Sequence, residues 1–85
     1  MADPISLPGD LGVLELQEAE DGFISAIGRR RFAADIWRAE PPEGPHDAWV
    51  AVEVDEGAVI ANSWSGWRVR YDLPTGSEME RAFTK

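Results

Sequence analysis

Few side chains in this sequence are equipped for chemistry. His46 is the single histidine and sits in a turn-rich stretch, PPEGPHD, where an imidazole with no neighbouring nucleophile reads as a solvated side chain. Cysteine is absent, which removes thiolate nucleophiles, disulfides and thiolate metal sites together. Ser6, Ser25, Ser63, Ser65 and Ser77 have no base placed beside them by spacing, and no G-x-S-x-G elbow occurs. A phosphate-cradling glycine loop is also missing. Asp55-Glu56-Gly57 and Glu20-Asp21-Gly22 are too short to form a calcium loop. Carboxylates are plentiful, yet spacing singles out no pair for acid–base work. The expectation is a non-enzymatic protein with no metal and no cofactor.

What the chain has in quantity is negative charge. The formal charge of −8 over 85 residues repels nucleic acid and anionic membranes and suits a protein partner with a basic surface, or simply gives solubility. The charge comes in blocks: residues 1–28 carry six acids and no base, and residues 39–57 again carry six acids and no base. Between them lie Arg29, Arg30, Arg31 and Arg38 against Asp35. Three adjacent arginines in so acidic a chain read as ion-paired to nearby carboxylates rather than as a nucleic-acid contact.

The elements that must position these groups are strands. Residues 48–74, AWVAVEVDEGAVIANSWSGWRVRYDLP, alternate with a period of two across two turns. Asp55-Glu56-Gly57 is read as a three-residue hairpin loop, with Gly57 in the positive-φ position of a G1 bulge, which pairs Val54 with Ala58 and Val52 with Ile60. Ser65-Gly66 is read as a two-residue loop pairing Trp64 with Trp67. This register gathers Ala48, Val50, Val52, Val54, Ala58, Ile60, Trp64, Trp67, Val69, Tyr71 and Leu73 on an inner face. It leaves Trp49, Glu53, Ser63, Arg68, Arg70 and Asp72 outside. Asn62 is the polar exception within and needs a partner there.

Upstream, residues 1–10 read as an irregular arm, with Ile5 and Leu7 tucked onto the body, and residues 11–85 as one β-rich domain. Residues 11–19 form a strand in which Leu14 and Leu16 alternate with Glu15 and Gln17. Glu20-Asp21-Gly22 turns the chain into a second strand over residues 23–27, and Gly28-Arg29 turns it again. Residues 30–40 read as a strand, with helix the alternative, since Phe32, Ile36 and Trp37 also fall on one helical stripe. After Pro74, Ser77-x-x-Glu80 matches a capping box and predicts a short helix over residues 78–83. The expected fold is mostly β: an antiparallel meander of five to six strands, as a small barrel or curled sheet, with a short C-terminal helix. The alternative is an α+β domain with residues 30–40 helical.

In an up-and-down meander alternate turns share an end. The turns at residues 20–22, 40–47 and 65–66 then come together, placing Glu20, Asp21, Glu43 and Asp47 around Trp64, Trp67 and His46. On the outer face Trp49 lies beside Arg68 and Arg70, a pairing suited to a contact hot spot. These seven residues, Glu20, Asp21, Glu43, Asp47, Trp49, Arg68 and Arg70, are the candidate partner-binding set. In size and charge alone the chain resembles the small acidic inhibitors of nucleic-acid-binding complexes carried by phages and mobile elements, anti-CRISPR proteins among them. Such a protein would act in the cytoplasm, in keeping with an N-terminus that has neither a signal peptide's apolar run nor a membrane span. The alternative is a small structural subunit docking into a larger assembly such as a virion through its sheet edge.

Overall fold

The structure, a computed structural model, describes residues 4–19, 22–44 and 46–84. It is an antiparallel sheet of eight strands: β1 (Ile5–Ser6), β2 (Val13–Glu18), β3 (Ile24–Arg31), β4 (Ala34–Ala39), β5 (Trp49–Asp55), β6 (Ala58–Ser63), β7 (Trp67–Asp72) and β8 (Glu78–Phe83). The sheet runs β1-β2-β3-β5-β6-β7-β8 and forks at β3, with β4 also paired to it. Ile24 at the start of β3 pairs with Trp49 of β5, while residues from Ile27 onward pair with β4. Within the sequence-predicted arm, Ile5 and Ser6 pair with β2 and Leu7 joins the core.

The sheet curls on itself without closing. One face carries Leu14, Ile27, Trp49, Val59, Val69 and Leu73, all fully buried. Three aromatic rings tie its two halves: Trp37 of β4 stacks on Tyr71 of β7 at 6.1 Å, and Trp49 meets Tyr71 edge-on at 6.2 Å. The Trp37 indole N–H donates to the Leu73 carbonyl at 2.7 Å. Arg29, buried, donates from Nε to the Leu11 carbonyl and from Nη1 to that of Pro74, each at 2.8 Å. Burying an aromatic side chain withdraws roughly 150–250 Å² from water, about 4–6 kcal/mol at 25 cal/mol per Å². This aromatic group and the aliphatic cluster beside it are therefore the main apolar stabilisation of the fold.

Both central hairpins differ from the sequence reading by one residue. Asp55 pairs with Ala58, so the first loop is the two residues Glu56 and Gly57, both at positive φ, as a type I′ turn requires. Asn62 pairs with Arg68, and the second loop spans residues 64–66. The two slips cancel across β6. β5 and β7 keep the expected inner residues Val52, Val54, Val69 and Tyr71, but β6 is inverted: Val52 faces Ala61 and Ile60 faces Glu53. Asn62 therefore lies on the outer face opposite Arg68, not in the core. A bulge at Val50 flips the start of β5, so Trp49 turns inward and is wholly buried while Val50 is exposed. The sequence gives no preference here, because Ala58, Val59, Ile60 and Ala61 are apolar at both parities.

Three further expectations are corrected. Gly28-Arg29 is not a turn: β3 runs on to Arg31 and reverses at Phe32-Ala33, both at positive φ (51° and 65°). Phe32 is thus an exposed tip residue, whereas Trp37 points to the core. Residues 34–39 are strand, and the helical alternative falls. The predicted C-terminal helix over residues 78–83 is β8. A six-residue helix cannot repay its nucleation cost in water, whereas the free edge of β7 offers a ready backbone ladder. Ser77 is drawn into the hairpin, its carbonyl accepting from Asp72 N–H at 2.8 Å.

Candidate functional site

Ala19 and Phe23, His46 to Ala48, and the hairpin tip at Trp64 come together at one end of the sheet. Their junction is Asp47. Its Oδ1 accepts from Ala48 N–H at 2.9 Å and from Ser65 N–H at 3.0 Å. Oδ2 accepts from Glu43 N–H at 3.2 Å and from Ser65 Oγ at 2.7 Å. Burial by itself would raise the Asp47 carboxyl, but the bonds from Ser65, Ala48 and Glu43 outweigh it and hold it below the usual 3.8. Asp47 is thus a buried anionic clip between two loops, not the exposed rim charge expected from the sequence.

The hairpin tip of residues 63–66 is braced from other sides too. Trp64 N–H donates to the Ala48 carbonyl at 2.8 Å, and Trp67 N–H donates to Ser63 Oγ at 3.0 Å. The Gly66 carbonyl accepts from both the backbone and the hydroxyl of Thr84. This short, heavily bonded tip displays Trp64, which is 61 % exposed. Phe23, itself 45 % exposed, packs against it with ring centroids 6.0 Å apart and planes tilted by 48°. Ala19, Ser25, His46 and Ala48 complete a cleft of about 290 Å³ around the two rings. Among the described residues, no arginine or lysine lines it. Comparison with family models, curated proteins and solved structures finds no match to this chain. Function must therefore be argued from the cleft itself.

On the neighbouring indole the protein shows how it treats such a ring. Trp67 donates its Nε1–H to Glu43 Oε1 at 3.0 Å, meets Phe83 edge-on at 5.1 Å, and carries the Arg81 guanidinium 5.6 Å above its centroid. Arg81 is in turn bonded to Glu78 at 2.7 Å. Glu43 is thus exposed at this end as expected, with one carboxylate oxygen engaged.

The other candidates are placed differently. Glu20 and Asp21 lie outside the described residues; Ala19 and Phe23 line the cleft. Trp49, expected on the outer face beside Arg68, is instead buried as part of the aromatic bridge and pairs with Ser63. Arg68 and Arg70 stay outside, Arg68 near Glu53 at 3.7 Å and Arg70 opposite Ile60 and Glu80. They share no surface with the cleft, so the seven-residue set does not assemble as one site. Of the arginine triplet, Arg30 pairs with Glu15 and Asp35 and Arg31 with Asp10, as charge balance implied, while Arg29 serves two carbonyls. A concavity on β2–β4 is lined by Arg30 and its partners Glu15 and Asp35.

Sequence reasoning missed Phe23 as a site residue and Ser63 and Ser65 as braces. Phe23 was legible: it directly follows the Glu20-Asp21-Gly22 turn, which the meander had already brought beside Trp64. The serines carried no such signal, because their role depends on a carboxylate eighteen residues from Ser65.

Proposed function

We propose that this is a non-enzymatic binding protein that occupies a basic surface of a protein partner. The observation that carries the reading is this end of the sheet: two exposed aromatic rings beside a hydrogen-bonded hairpin tip, in a chain of net charge −8. Rigid aromatic anchors supply contact energy, and surrounding negative charge steers a basic partner and rejects acidic ones. Glu43, on the same loop as Asp47, is the rim carboxylate best placed for that role. Proteins that hold nucleic acid present basic surfaces of this kind. The proposal extends, by size and charge, to an inhibitor of phage or mobile-element origin acting in the cytoplasm of a bacterial host, in the manner of anti-CRISPR proteins.

A second reading, a small subunit docked into a larger assembly, is favoured by one observation. β8 is exposed at all six residues and ends the sheet, leaving one ladder edge open for a partner strand. Salt separates the two. With the partner captured from the native host, affinity under the first reading falls steeply as salt rises, and Glu43→Lys weakens binding about tenfold. Binding that ignores salt and Glu43→Lys, but is lost on Met79→Pro in the edge strand, overturns the first reading in favour of the second.

A further inference from the structure

One side chain is placed at a cost that the single chain does not recover. The β3–β4 hairpin reverses at Phe32 and Ala33, both in the left-handed region that glycine and asparagine adopt far more readily. Strained backbone of this kind persists where it presents something. What this turn presents is Phe32, at 88 % the most exposed large apolar side chain among the described residues. Its ring meets the guanidinium of its own neighbour Arg31, 5.0 Å from the centroid. Beside the tip lies an open groove of about 520 Å³. The tip forms one wall; the other is Gly9, Gly12, Val13 and the carboxylates Asp10 and Glu15. Opposite charges interleave around it: Arg31 bonds Asp10 at 3.0 Å, and Arg30 reaches Glu15 at 3.3 Å and Asp35 at 3.1 Å. The chain as a whole, at −8, repels a second copy of itself. At this end, by contrast, the arginines of one copy match the carboxylates of another.

We propose that the Phe32 tip is the contact of a two-fold homodimer: Phe32 of each copy seats in the groove of the other, and Arg31 exchanges its own Asp10 for that of the second copy. A knob lying next to the groove that receives it is what a two-fold axis requires, since one patch must then serve both copies. The two buried rings supply the apolar contact, while the exchanged ion pairs set register more than affinity. The inference does not depend on the proposed function. Phe23 precedes β3 at the cleft end, and the eight residues of β3 carry the chain roughly 27 Å from there to Arg31. A dimer joined at the tips therefore directs its two cleft ends away from the contact, and one molecule can engage two basic surfaces at once.

The test is sedimentation equilibrium of the full chain. The expected result is a monomer–dimer equilibrium between about 10 μM and about 1 mM protein. Phe32→Ala should weaken the dimer by about 10- to 100-fold. The double change Phe32→Asn with Ala33→Gly should abolish it while the urea midpoint, taken on dilute monomer, stays at or above the wild-type value. Loss of the dimer is then not loss of the fold. Arg31→Glu and Asp10→Lys should each weaken the dimer alone and restore it when mixed, because each copy then supplies the charge that the other lacks. A wild-type chain that stays monomeric up to about 1 mM overturns the proposal. A dimer that survives Phe32→Ala overturns it too, and one lost only on Met79→Pro moves the contact to the open edge of β8. Arg31→Glu and Asp10→Lys copies that fail to associate when mixed overturn the reciprocal arrangement.

Discussion

Replacing Asp47 with alanine tests the scaffold on which the cleft depends. The substitution removes the acceptor of four hydrogen bonds and leaves the Glu43, Ala48 and Ser65 backbone N–H groups without it. A hydrogen bond to a charged group contributes about 1.5–3 kcal/mol net. Water can reach part of a loop junction at the sheet end, so the equivalent of one to two such bonds is lost, about 3 kcal/mol. For a domain of this size each kcal/mol moves Tm by about 4–8 °C, so Asp47→Ala should melt about 12–24 °C below the wild type near neutral pH. Asp47→Asn should cost roughly half as much, because an amide oxygen can keep the Ala48 and Ser65 N–H groups while its NH₂ confronts Glu43 N–H. The pH dependence has a definite sign. Burial raises this carboxyl, its hydrogen bonds together lower it by more, and the net folded value lies below 3.8. Asp47 therefore contributes stability above the unfolded value of about 3.8, and that contribution fades as pH falls through the lower folded value. Thermal melts by circular dichroism should show the full gap near neutrality and a narrowing gap in stronger acid. Coincident melts near neutrality, or a gap that does not narrow in acid, would refute the clip.

Two further predictions concern the backbone. Gly12 and Gly57 both have positive φ, but a Cβ at Gly12 would strike the Arg30 carbonyl whereas at Gly57 it meets open space. Gly57→Ala should cost about 1 kcal/mol, and Gly12→Ala should exceed it by at least a further 1–3 kcal/mol of backbone displacement in urea unfolding; equal losses would refute the close packing of residue 12 on β3. At the Phe32-Ala33 turn, both residues occupy the left-handed region that Asn-Gly adopts without strain, so the double change to Asn-Gly should raise the urea midpoint, by about 1–2 kcal/mol of stability. A lowered midpoint would mean that the Arg31 contact with the Phe32 ring, at 5.0 Å, outweighs the strain.

The cleft was partly legible before any coordinates. The meander logic brought the turn after Ala19, the PPEGPHD loop and the Trp64 hairpin to one end, and among the described residues Ala19, Phe23, His46, Asp47 and Trp64 meet there. That inference needed only strand count and turn position, both robust to a one-residue error. Side-chain roles were less robust. Asp47 looked like a rim charge because nothing in its neighbours announces a buried acceptor, and the donors that bury it come from Ser65. Trp49 looked external because strict alternation from Val54 put it there, and the bulge at Val50 breaks that alternation. The helix expected over residues 78–83 failed for a related reason: its capping signal is local, whereas the open edge of β7 is a property of the assembled sheet.

The sequence by itself determined that this chain is a cysteine-free, strongly acidic succession of strands and turns, since those properties follow from composition, period-two patterning and glycine placement. Only the tertiary structure decided which side of β6 faces inward. Asp-Glu-Gly accommodates a two- or a three-residue reversal, and Ala-Val-Ile-Ala offers apolar groups to either face. The choice therefore fell to packing, where Val59 and Ala61 fit beneath Trp49 and Tyr71 and Ile60 is left under the arginine stems of β7.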